Sequence, residues 1–158
     1  MFVSTLAVFS AVTGSRAFDG PNAVPFPDGF REWSLVKSGV ILEGHPTYAA
    51  SGGLRHIYAN PTALAGYRAG TFDDGAVIVA EFVDVTEKDK VVTEGARRRV
   101  DVMVRNRERY ASTGGWGFES WVKGDKQQPR VGDKATSMCF ECHGKQTTTS
   151  FVFSTLRP

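Results

Sequence analysis

Two runs of residues constrain this chain most. Ala76-Val77-Ile78-Val79-Ala80-Glu81-Phe82-Val83-Asp84-Val85 is dense in β-branched side chains, which pack well on a pleated surface. Arg97 to Val104 alternates with period two: Val100, Val102 and Val104 share one face, and Arg99, Asp101 and Met103 share the other. Shorter strands are predicted at Arg31–Leu42, where the alternation of Trp33 and Leu35 breaks at Val36, and at Leu54–Tyr58, Trp116–Lys123 and Ser150–Leu156. Three short helices are predicted. The first starts at Asn60-Pro61, an N-cap followed by proline at the first helical position, and stops at Gly70. The others are Asn106–Ser112 and Thr136–His143, while Glu87–Gly95 reads as a polar loop. Five or six strands against three short helices predict an α+β fold on an antiparallel sheet of about five strands. A length of 158 residues suits one domain with a real core.

With 41% hydrophobic residues and a formal charge of +2, the chain gives no reason to expect a nucleic-acid partner. The one basic run, Arg97-Arg98-Arg99, falls inside a predicted strand.

The only two cysteines sit in one run, Cys139-Phe140-Glu141-Cys142-His143. This C-x-x-C-H pattern is that of covalent attachment of a c-type haem. Two thiols add to the two vinyl groups on one porphyrin edge, and the following histidine offers its imidazole to the iron. Residues three apart share a helix face, so about one turn meets all three demands. A thioredoxin-type dithiol shares the C-x-x-C but normally follows a strand early in a βαβ unit. A structural zinc site needs four ligands, and no second Cys/His pair stands nearby. A disulfide closing so short a loop adds little stability. The reading is one haem c, bonded to Cys139 and Cys142, with His143 as the proximal iron ligand. Eleven Phe suit a protein that must wall in a large flat cofactor, and the Arg97–Arg99 run reads as a solvated or haem-propionate-facing edge.

Phe2 to Val12 is apolar but too short to span a bilayer, and Ser15-Arg16-Ala17 forms a small-x-small cleavage site before Phe18. Residues 1–17 are therefore expected to be a signal peptide, although the usual basic n-region is missing, and residues 18–158 the haem-binding domain. That c-type haem is attached outside the cytoplasm adds to the expectation of a periplasmic, non-spanning protein. The sheet-rich pattern and the position of the motif near the C-terminus argue against the small helical cytochromes and the four-helix-bundle cytochromes.

A sheet-rich chain with C-x-x-C-H close to its end resembles the cytochrome P-460 family, which includes the cytochromes c′-beta. The resemblance runs through Arg31-Glu32-Trp33, Arg55 to Tyr58 with Asn60-Pro61, and Gly70-Thr71-Phe72-Asp73-Asp74-Gly75 followed by Val77, Val79 and Glu81. It continues through Arg109-Tyr110-Ala111, Trp116-Gly117-Phe118, Cys139 to His143 and Phe151-Val152-Phe153. The resemblance implies a haem-bearing antiparallel sheet, usually in a homodimer, with His143 as proximal ligand and an often empty sixth site. It also implies two functional kinds. The hydroxylamine-oxidising members crosslink the porphyrin to a lysine directly before the glutamate of the valine-rich strand. Here that position is Ala80, beside Glu81, and the nearest lysines, Lys88 and Lys90, lie in the following loop. The departure favours the non-crosslinked members, which bind small gases such as nitric oxide. By the same resemblance Asp101 falls where the enzymes carry a proton-relaying carboxylate above the iron. Its strand face is either solvent or haem pocket, and in a pocket it would keep a hydroxylamine- or peroxide-converting activity open.

What fills the sixth iron position separates a gas binder or catalyst from a simple electron carrier. Met138 precedes Cys139 too closely to reach the distal face, and Met103 reads as core packing. His45 is expected in an exposed loop or near a propionate, and His56 in a hydrogen-bonded sheet position. The expected distal wall is Ala80 with its same-face neighbours Ile78 and Phe82. The prediction is an open site for a small gaseous or nitrogenous ligand; no feature identifies a redox partner protein.

Overall fold

The computed structural model describes residues 20–158. The predicted signal peptide and its cleavage site lie outside the described residues. Among those residues no helix is long and apolar enough to cross a membrane.

Five strands form one meander, each pairing antiparallel with the next: β1 (Ser34–Ile41), β2 (Gly53–Ala59), β3 (Val77–Lys88), β4 (Val91–Arg105) and β5 (Trp116–Val122). The helices are short: α1 (Tyr48–Ser51), α2 (Pro61–Ala69) and α3 (Glu141–His143). This is the expected α+β architecture. The broken alternation at Val36 has a local cause, a register shift between Leu35 and Lys37 that turns Val36 fully into the core.

Helix α2 starts and stops where its sequence signals stand. The Asn60 side chain accepts from Ala63 N at 2.8 Å and from Val77 N at 3.0 Å, tying the helix start to β3. Pro61 follows at the first helical position, and Gly70 ends the helix in the left-handed region at φ 78°.

Three predicted elements differ. The supposed loop Glu87–Gly95 is instead the tip of a long β3–β4 hairpin, with Lys88 paired to Val91. Asp89 and Lys90 both adopt positive φ, 53° and 64°, which matches the twist of a two-residue hairpin turn. Thr86 and Thr93 hydrogen-bond across it at 2.9 Å. The expected helix Asn106–Ser112 is a turn followed by a 3-10 turn at Ala111–Thr113. The Asn106 side chain accepts from Arg109 N at 2.9 Å and competes with helix continuation. The expected closing strand Ser150–Leu156 does not form. Ser150 and Phe151 both sit at positive φ, 54° and 69°, and reverse the chain after a 3-10 turn at Thr147–Thr149. The tail then runs beside β1, where Arg157 N donates to Val36 O at 3.0 Å.

The sheet buries both faces. On one, Val79, Val100, Val102 and Trp121 pack with Val24, Phe30 and Tyr110. Glu81 lies on the same side, 1% exposed, and accepts from Arg31 Nη2 at 2.7 Å and Arg97 Nε at 2.6 Å. On the other face, Val36, Ile57, Ile78, Met103, Trp116 and Phe118 pack under α2 and the C-terminal segment. That second face carries the site.

Candidate haem site

A cavity of about 820 Å³ opens on the second face. Its floor is a grid fixed by strand register. Ile57, Ala80, Asp101 and Ser120 stand in one row across β2, β3, β4 and β5. On one side lies the row Ala59, Ile78, Met103 and Phe118, and on the other Arg55, Phe82, Arg99 and Val122. The floor therefore grades from apolar, through a single carboxylate, to a row with two arginines. Ile78, Ala80, Phe82 and Asp101, singled out from sequence, all line this one cavity, and so do Cys139 and His143.

The cysteine segment reaches the cavity on a helix of mixed pitch. Thr136–Phe140 forms a π-helical turn that runs directly into α3. Such widened turns recur at functional sites. Both thiols are free: Cys142 is exposed and Cys139 partly buried. Burial, with Asp101 and Glu119 nearby, pushes the Cys139 thiol up to about 12. Among the described residues no cluster of three or more His, Cys, Asp or Glu is arranged to hold a metal ion.

His143 is already oriented. Its Nδ1 lies 2.8 Å from the Phe151 carbonyl oxygen, which can only accept, so Nδ1 carries the proton and Nε2 keeps a bare lone pair. Burial holds the imidazole below its ordinary value, against the opposing pulls of the Phe151 bond and of Asp101. The ring is wedged between Phe118 and Phe153, with centroids at 5.0 and 4.8 Å. The left-handed pair Ser150-Phe151 makes this possible by turning the Phe151 carbonyl back onto the ring. Sequence offered no signal for it, since neither residue is Gly or Asn.

Asp101 is held at three points. Ser120 Oγ donates to Oδ1 at 2.7 Å, and Arg99 Nε lies 2.8 Å from Oδ1 and 2.9 Å from Oδ2. Burial raises its pKa above the ordinary carboxylate value, opposed by Arg99, Ser120 and Arg130. Arg99 also stacks on Phe82 at 4.2 Å. Ser120 was missed as a site residue; of the Arg97–Arg99 run, expected at a solvated or propionate-facing edge, Arg98 and Arg99 line the cavity while Arg97 pairs with Glu81 on the other face. Glu119, 2% exposed, organises the wall: its carboxylate accepts from the backbone N–H groups of Ser120, Arg130, Val131 and Gly132 at 2.7–3.0 Å.

The remaining candidate ligands divide. His45 lies in an exposed loop, and His56 hydrogen-bonds Ser38 Oγ at 2.8 Å with its Nε2 2.7 Å from Glu94 Oε1; neither lines the cavity. Met103 and Met138 do line it. Lys88 and Lys90 sit at the hairpin tip, and no described lysine lines the cavity.

The sequence profile of the family described as Cytochrome P460 matches residues 27–154. The chain belongs to the cytochrome P460 family. The matched span contains all five strands and the whole cysteine–histidine segment. No curated protein matches the chain. Membership makes it a cytochrome with a haem cofactor. The cavity suits that group on its own terms. It joins a neutral imidazole with a free Nε2, the Cys139 thiol, a floor that is apolar at one end and a cationic rim, while Cys142 lies one helical turn on, exposed and outside the lining. Phe153 and Met138, 55% and 49% exposed, line the mouth with apolar surface that a bound macrocycle would cover.

Proposed function

We propose that this chain is an exported c-type cytochrome. In this reading it holds one haem through thioether bonds to Cys139 and Cys142, with His143 Nε2 as iron ligand. The sixth position binds small molecules such as nitric oxide. The carrying observation is the His143–Phe151 hydrogen bond, which fixes the tautomer and presents Nε2 to the cavity that Cys139 also lines. A haem bound there supplies a redox-active iron able to take up a diatomic ligand.

The chain's own residues support an open position. His143 is the one described histidine on the cavity. Met103 is 8% exposed and packed into the core cluster, and Met138 directly precedes Cys139. Ile57, Ile78 and Ala80 give one end of the floor an apolar surface that suits neutral diatomics. Ala80 leaves room beside Asp101 where the crosslinked members carry lysine. Arg55 and Arg130, also on the cavity, are placed to pair with the acidic edge of the macrocycle. Exposed Val40, Leu42, Val91 and Val92 offer apolar surface to a second copy, in keeping with a homodimer.

A second reading has one specific support. Asp101 is the carboxylate of the cavity floor, and burial raises its pKa above the ordinary value, which favours exchange of a proton with a bound ligand. Turnover of hydroxylamine or peroxide that is abolished by Asp101→Asn would establish it.

The attachment is tested by acid–acetone extraction of the purified protein. Colour that stays on the polypeptide, and is lost in a Cys139→Ala/Cys142→Ala double variant, supports the proposal. Colour that extracts freely overturns covalent attachment.

A further inference from the structure

Residues 48–52 form a strap at the cavity mouth. Ala49, Ala50 and Ser51 line the cavity, yet α1 buries none of its residues. Gly52 is buried, but α1 has no buried side chain to anchor it, and gating elements are drawn from such low-stability segments. Among the described residues two side chains hydrogen-bond to the strap, both from β4. Arg98 Nη1 donates to Gly52 O, and Arg99 Nη1 donates to Ala50 O at 2.8 Å.

Arg99 does more than tether. Its Nε meets Asp101 at 2.8–2.9 Å, its plane covers Phe82 at 4.2 Å, and its Nη1 reaches the strap. A guanidinium is one rigid plane, so these three contacts cannot be adjusted separately. Moving the plane away from Asp101 also moves it away from Ala50.

We propose that Arg99 is a latch that couples the Asp101 carboxylate to the strap. With Asp101 engaged, residues 48–52 are held over the cavity; with it disengaged, the strap opens and admits a small ligand. Arg99 is thus a positioning residue, acting through Asp101 and Ala50 rather than on the ligand. The inference deepens the gas-binding reading and rests on it for the identity of what is admitted.

Backbone hydrogen exchange of the full-length protein tests the latch. Arg99→Gln is expected to speed exchange at residues 48–52 by about tenfold or more, the size expected for losing a charge-assisted hydrogen bond, with α2 unchanged. Asp101→Asn, which does not touch the strap, is expected to speed exchange at the same residues. If Arg99→Gln alone speeds it, Arg99 is a tether and the coupling is overturned. If neither variant does, the latch is overturned altogether. Should Arg99→Gln raise exchange throughout the chain, Arg99→Lys decides. It keeps a cation beside Asp101 but loses the fork, so a rise confined to 48–52 supports the latch and no such rise overturns it. Exchange is read on the polypeptide, so its outcome is separate from haem attachment, which the extraction test decides.

Discussion

Ala80 on β3 and Asp101 on β4 are directly paired across strands, so the smallest side chain of the middle floor row stands beside its only carboxylate. Cross-strand partners bring their Cβ atoms to about 5 Å. The space a longer side chain would occupy at position 80 is therefore the space next to the carboxylate oxygens. That pairing makes the cavity depth beside the Asp101 carboxylate depend on residue 80.

Filling that space should close the site. Ala80→Leu adds three carbons into the cavity that Ala80 lines. Carbon monoxide affinity of the ferrous protein is expected to fall at least about tenfold, measured by optical titration. Unchanged affinity would place the ligand elsewhere.

Asp101 should leave a signature in the pH dependence of stability. Its folded pKa is raised, so between its ordinary value of 3.8 and the higher folded value the native state binds more protons than the unfolded chain. The stabilisation it contributes is full below the unfolded pKa and is lost as pH rises through the folded one. Melting temperatures of wild type and Asp101→Asn are compared from pH 3.5 upward, at values spaced by about half a unit. The wild type is expected to lose ground to the variant as pH rises across that window. A constant difference would mean that Asp101 titrates normally.

Glu81 carries the largest polar commitment on the opposite face. It is buried, and two arginines converge on it, Arg31 with 53% of its side chain exposed and Arg97 with 30%. Removing one partner of a fully buried pair costs about 3–5 kcal/mol, and exposure of the arginines lowers that figure here. Glu81→Ala is expected to cost about 2 kcal/mol in urea unfolding. A loss within about 0.5 kcal/mol, as for an ordinary surface substitution, would refute the structural role.

Much of this was legible in the sequence, and the rest has identifiable reasons for being hidden. Period-two alternation put Arg99, Asp101 and Met103 on one face, and Asn60-Pro61 with Gly70 marked α2, because these signals are local. The register that sets Ile57 and Ser120 in the Ala80–Asp101 row is non-local, and no spacing within one strand encodes it. The hairpin tip was misread because Asp89-Lys90 enters the left-handed region without a glycine to announce it. Ser150-Phe151 hides in the same way, and with it the carbonyl that orients His143. Glu119 carries no sequence signal, because its partners are backbone N–H groups of its own strand and of a loop that has no motif.

A haem iron held by His143, with an open position over the Ala80–Asp101 floor, has a distinct optical signature. The most direct test is the optical spectrum of the purified ferrous protein before and after adding carbon monoxide and nitric oxide. A high-spin Soret band that shifts with both gases is the expected result. A sharp low-spin α band indifferent to both would contradict the account and leave a simple electron carrier.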